Sequence, residues 1–253
     1  MADVEIVDTE HIRTVRLNRP ERRNAYDQDM AVAMAEAFES AAGFEMVVLT
    51  GSGGSFCAGG YLANLEKADP ITIRSLFEGS LRVVDAIRQC PRPVIAAVDG
   101  PAAGGGNELV VACDFAIATE RATFGQTGPK VGSAPVLGAT NLLPIQIGEK
   151  RAREMAMMCR RYSAQQALDM GLINEVVADE AALEEAITRW SDEIHALSPR
   201  YLEITKISSN LWWNESADSM RAGLGMLLQA VGSDDMLEGA RAFMEKRKPK
   251  FRD

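Results

Sequence analysis

Residues 101–114 read PAAGGGNELVVACD: three consecutive glycines, a glutamate two positions on, then an apolar run. Residues without a Cβ let backbone N–H groups approach a ligand closely and point at it. Where such residues open a helix, the positive end of the helix dipole also favours developing negative charge. A second bare stretch, GSGGSFCAGG at residues 51–60, offers the same chemistry. One N–H from each stretch would make a two-donor oxyanion hole; loss of a single such donor costs about 100- to 1,000-fold in rate. A phosphate cradle or a tight turn would use the same glycines. A P-loop is poorly supported, because no Lys-Ser/Thr follows residues 51–60, and no clean GxGxxG opens a helix early in the chain. Glu108 is the carboxylate beside the triglycine. Apolar surroundings would raise its pKa and suit it to proton transfer near neutral pH. Its bland alternatives are a bond to neighbouring backbone or a helix-end charge.

The elements that would hold these loops follow from patterning. Alternation in VEIVDTEHIRTVRLN predicts two strands near the start, RPERRNAYD a turn, and QDMAVAMAEAFESAA a helix. FEMVVLTG, PRPVIAAVDG and DFAIAT read as buried strands, with a helix over residues 71–89 between the first two. This strand–helix–strand rhythm predicts an α/β fold with a parallel, helix-covered sheet over roughly the first 130 residues. Loops leaving the carboxyl ends of its strands would then build a ligand crevice. From about residue 138 the chain reads as helical, with one short strand at INEVV.

Bulk properties exclude several classes. The 253 residues carry a net charge of −9, so the basic footprint of a nucleic-acid binder is absent. The acidic N-terminus has no apolar h-region, and no apolar run reaches the roughly 18 residues of a membrane span. Cys57, Cys90, Cys113 and Cys159 lack CxxC spacing and read as reduced thiols of a cytoplasmic protein. The only histidines are His11 and His195, which argues against serine–histidine hydrolysis and against a histidine-rich metal site; no metal is expected. The basic tail EGARAFMEKRKPKFRD reverses the charge of an acidic chain.

VIAAVDGPAAGGGNELVVACDFAIATERATFGQ closely resembles the signature region of the crotonase, or enoyl-CoA hydratase/isomerase, superfamily. LNRPERRNAY, VVLTGSGGSFCAGG, YSAQQALDMGLINEVV and EGARAFMEKRKPKF match in the expected order. The resemblance implies a repeated ββα core over 1–195 and a helical trimerisation and CoA-covering region over 196–253. It further implies a homotrimer or homohexamer, an acyl-CoA thioester substrate, no tightly bound cofactor, and an enolate held by two N–H groups. On this chain those donors fall on Ala58 and Gly105. CoA contacts fall on Arg22, Ala25, Ala58 and Gly60, and, from the tail, on Lys246, Lys250 and Phe251; a solvated basic tail is the alternative for the last three. Tyr61, Leu62 and Pro135 fall on the acyl pocket.

Hydratases of this family use two glutamates as base and acid. Glu108 matches the first; the second position is Gly128, in GQTGPKVGS. That segment resembles the dihydroxynaphthoyl-CoA synthases and the ketocyclohexanecarboxyl-CoA hydrolase, where bicarbonate can act as the base. Gln126, Thr127 and Gly128 match its pocket, and Ser133 matches a functional serine, although a serine after a turn glycine is often only a helix cap. The chain departs from this branch too: Pro135 stands for an aspartate, Ala156 for a tryptophan, Val231 for a tyrosine, and Glu108 for an apolar residue. The expectation is an enolate-forming acyl-CoA enzyme of hydratase/isomerase type. Carbon–carbon hydrolysis or Dieckmann-type closure of a β-keto acyl-CoA is the alternative, and a non-catalytic acyl-CoA-binding paralogue the competing class.

Overall fold

The computed structural model describes residues 2–61 and 70–251. Strands β1 (Val4–Asp8) and β2 (Ile12–Leu17) form an antiparallel hairpin. β2 then pairs in parallel with β3 (Met46–Gly51), β3 with β4 (Val94–Val98), β4 with β6 (Phe115–Thr119), and β6 with β9 (Glu175–Val177). The six-stranded order is β1-β2-β3-β4-β6-β9. Successive side chains of a strand point to opposite faces, and this chain buries both. Val47, Leu49, Val94, Ala96 and Val98 face a core shared with helices α1 (Gln28–Glu39) and α2 (Pro70–Gln89). Met46, Val48, Ile95 and Ala97 face the other way, onto Leu183, Ala186 and Ile194 of helix α7 (Glu180–His195).

A second sheet was not legible in the sequence. β5 (Pro101–Ala103) pairs in parallel with β7 (Thr123–Gly125), which pairs antiparallel with β8 (Arg161–Ser163). Three residues are too few to display a period of two; register with neighbours defines these strands rather than local propensity. Between them lie α3 (Gly105–Ala112), α4 (Leu143–Ile147) and α5 (Glu149–Met158), and α6 (Ala164–Asp169) follows β8. Helices α8 (Pro199–Ser209), α9 (Leu211–Gln229) and α10 (Asp234–Met244) complete the chain. Met220, Leu224 and Leu227 of α9 and Met236 and Ala240 of α10 join the same core as α1 and α2. Among the described residues no helix is long and apolar enough to cross a membrane.

Several contacts place the glycine-rich loops, which follow β3 and β5, beside each other. Asn24, fully buried, accepts from the Arg19 N–H at 2.9 Å and donates to the Ser52 and Ser55 carbonyls at 2.9 and 2.7 Å. It thereby ties the Arg19–Tyr26 turn to the loop after β3. Bridges pair Tyr26 with Gly60 and Cys57 with Ala102. Gly59 has φ 92°, and a Cβ there would stand 2.8 Å from the Gly105 nitrogen, so only glycine lets the two loops meet.

Candidate active site

Helix α3 starts after Gly104, whose φ of 55° and ψ of −123° turn the chain out of β5. Gly105 and Gly106 are its first residues, and Glu108 follows on the first turn. Glu108 is buried, and its Oε1 accepts from the Leu137 N–H at 2.7 Å and the Ala139 N–H at 3.4 Å. Among the described residues Oε2 has no partner. The carboxyl group is therefore held by one oxygen, and Glu108 lines a pocket of about 80 Å³. Burial pushes the Glu108 pKa up to about 7, against the lowering effect of the two backbone N–H groups. The local-backbone alternative for Glu108 is thus half realised, on one oxygen only.

Of the residues singled out in the sequence, Ala58, Gly60, Gly105, Glu108, Gly128, Ser133 and Pro135 line this pocket together. Ala58, however, is misplaced as an oxyanion donor: its N–H is taken by the Arg23 carbonyl at 3.0 Å, a bond made by the Arg19–Tyr26 turn. Among the described residues the Gly60 and Gly105 N–H groups meet no acceptor. They are also neighbours, since a Cβ on Gly105 would lie 3.5 Å from the Gly60 nitrogen. Gly60 therefore replaces Ala58 as the first donor candidate.

Tyr61 is not in the pocket; the Arg22 guanidinium stacks 4.4 Å from its ring. Ala25 is buried in the same turn and does not line the pocket either. Leu62 lies outside the described residues. Ser133 caps no helix; it sits on the loop after a short 3-10 turn at Gly128–Lys130, with its N–H bonded to the Gly128 carbonyl at 2.9 Å. Lys250 and Phe251 line a separate depression with Asp234, Glu238 and Arg247, and Lys246 lines neither. Within one chain the Arg247 charge is answered locally: Arg247 donates to Glu238 at 2.6 and 2.9 Å, and the Lys250 backbone N–H donates to the same carboxylate at 2.7 Å. These bonds hold the Glu238 carboxyl below its ordinary range.

Among the described residues Glu108 is the one carboxylate lining the pocket, and the packing around Gly128 explains why the family's second carboxylate is missing at that position. A Cβ on it would meet the Ser133 carbonyl at 2.9 Å and Ala134 and Pro135 atoms at 3.0 Å. The neighbouring segment, not open space, fills the direction a side chain would take. Gly128→Glu is therefore expected to lose about 1–3 kcal/mol in denaturant unfolding through overpacking, and to gain no activity. Unchanged stability with faster turnover would show that the segment yields.

The sequence reading missed Tyr26 and Ser80, which also line the pocket, and Leu227, which α9 brings in from far along the chain. Tyr26 ends the quoted RPERRNAY stretch, so its place beside Gly60 was within reach; burial raises its phenol pKa. Gln126 is buried on the pocket wall with neither amide atom hydrogen-bonded. Ala156 lies in another cavity, with Met157, and Val231 packs against the main core.

A mainly parallel sheet with a second small sheet defines a crotonase-type fold, and its pocket brings the Gly60 and Gly105 backbone together with the buried Glu108 carboxyl group. A sequence model of the enoyl-CoA hydratase/isomerase family matches residues 8–253, and the chain belongs to that family. It is similar to an enoyl-CoA hydratase/isomerase from Xanthobacter autotrophicus Py2, with 31% identity over 98% of this chain and 99% of that one and a TM-score of 0.85. An enoyl-CoA hydratase from Bacillus anthracis is 31% identical over 99% of both chains, with a TM-score of 0.79. One from Mycobacterium avium subsp. paratuberculosis K-10 is 27% identical over 96% of this chain and 99% of that one, with a TM-score of 0.88.

Proposed function

We propose that this protein forms and protonates a thioester enolate of an acyl-CoA, with hydration of an enoyl-CoA as its reaction. The observation that carries this reading is Glu108: a carboxyl group whose pKa burial pushes up to about 7, held by one oxygen and, among the described residues, unbonded at the other, beside the Gly60 and Gly105 N–H groups, which meet no acceptor among those residues. As the carboxylate, Glu108 takes a proton from water while the hydroxide oxygen bonds to the β-carbon. The π electrons of the alkene move to the thioester oxygen, where the Gly60 and Gly105 N–H groups stabilise the charge. The enolate then collapses, and the proton on Glu108 goes to the α-carbon, returning the carboxylate. One residue does what two do elsewhere in the family, so the starting form is the ionised one. CoA enters only as part of the substrate.

A second reading is carbon–carbon bond chemistry on a β-keto acyl-CoA. The unpaired Gln126 amide favours it, because it could meet a polar acyl oxygen or an anion such as bicarbonate beside Gly128. The test is crotonyl-CoA hydration followed at the thioester enone absorbance, then cyclic β-keto acyl-CoAs with and without bicarbonate. Turnover of crotonyl-CoA supports the first reading. Inertness toward it, with turnover of a β-keto substrate, supports the second, and inertness toward all with retained CoA binding would point to a non-catalytic paralogue.

A further inference from the structure

The chain's only two histidines, far apart in sequence, meet at one carboxylate. His11 Nδ1 stands 3.2 Å from Glu45 Oε1, and His195 Nδ1 stands 2.8 Å from Glu45 Oε2. The two rings lie 4.7 Å apart between centroids. Each residue sits at an element boundary: His11 just before β2, Glu45 just before β3, and His195 as the last residue of α7. The Glu45 N–H donates to the His11 carbonyl at 2.8 Å, so two of the three are fixed by sheet backbone. None of them lines the active-site pocket, which lies at the other end of these parallel strands.

We propose that His11, Glu45 and His195 bind a divalent late transition-metal ion of the zinc class. Imidazole and carboxylate are the donors such ions select. One ligand atom from each residue lies within 4.8 Å of the other two. Around zinc, with bonds of about 2.0–2.2 Å, ligand atoms stand about 3.4 Å apart; both histidine nitrogens already lie within that distance of a Glu45 oxygen, and a pair at the 4.8 Å limit closes by about 1.4 Å on binding. The His11, Glu45 and His195 side chains are 42%, 30% and 58% exposed, which leaves a fourth position to water. Asp192 adds negative charge at His195. The proposal departs from the expectation of no metal, which rested on the small number of histidines, because these two converge. An ion here would clasp the N-terminal hairpin, the start of β3 and the end of α7.

The test uses the full, untagged chain stripped with EDTA. Calorimetric titration with zinc chloride is expected to show one ion per chain, and thermal unfolding a raised Tm, while magnesium chloride gives neither. His195→Gln, on an exposed helix end, and Glu45→Gln are each expected to weaken zinc binding at least about tenfold. Absence of saturable zinc binding by the wild type would overturn the proposal, as would wild-type affinity in the His11→Gln/His195→Gln double variant.

Discussion

Glu108→Gln is expected to lower turnover of the enoyl-CoA substrate by about 100- to 10,000-fold while leaving the fold intact. The glutamine Oε1 can still accept the Leu137 and Ala139 N–H groups that the carboxylate oxygen accepts. What is lost is the capacity to take and return a proton. The same site fixes the pH dependence. Because the shuttle starts ionised and the Glu108 pKa is about 7, wild-type kcat/KM should rise as pH climbs through 7 and level off above it. The stability effect has the opposite sense. A folded-state pKa raised from 4.5 to about 7 gives a contribution fully present at low pH and lost as pH rises through 7, where the buried group must charge. Glu108→Gln should therefore gain stability relative to the wild type at pH 8 and not at pH 4. Denaturant unfolding at the two pH values reads this directly, and equal differences at both would show that Glu108 is not held near neutrality.

The second large effect concerns the Gly105 N–H. Gly105 is the first helical position of α3, where proline is tolerated because its missing N–H has no intrahelical partner. A Cβ there would stand 2.7 Å from the Tyr26 hydroxyl, so the substitution is made in a Tyr26→Phe background. Gly105→Ala/Tyr26→Phe keeps the donor; Gly105→Pro/Tyr26→Phe removes it. The proline variant is expected to turn over about 100- to 1,000-fold more slowly than the alanine variant. Comparable rates in the two would remove Gly105 from the oxyanion site.

The main sheet was legible because β3, β4 and β6 are apolar runs bounded by turns, and burial on both faces leaves that signature. The pocket's small sheet was not, since β5, β7 and β8 are three residues each. The triglycine and Glu108 announced themselves by composition: a run of bare backbone and a carboxylate inside an apolar stretch each call for a local reason, although composition alone left a tight turn and a helix-end charge open. Ala58 went wrong because a loop's N–H groups look alike in sequence; which of them is free depends on Arg23, more than thirty residues upstream. Tyr61 was lost to its stacking on Arg22, and the His11–Glu45–His195 cluster to the same blindness toward distant partners. Gly128 carried a true absence, whose cause, the packing of the 133–135 segment, lies in three dimensions.

The central claim is that Glu108 moves a proton at the α-carbon of a thioester. Exchange of that proton tests it without knowledge of the natural acyl chain: butyryl-CoA is incubated with the protein in deuterium oxide and deuterium at the α-carbon is followed by mass spectrometry. The account predicts incorporation with the wild type and its loss with Glu108→Gln. No exchange by a wild type that binds butyryl-CoA, or equal exchange by both proteins, would contradict it.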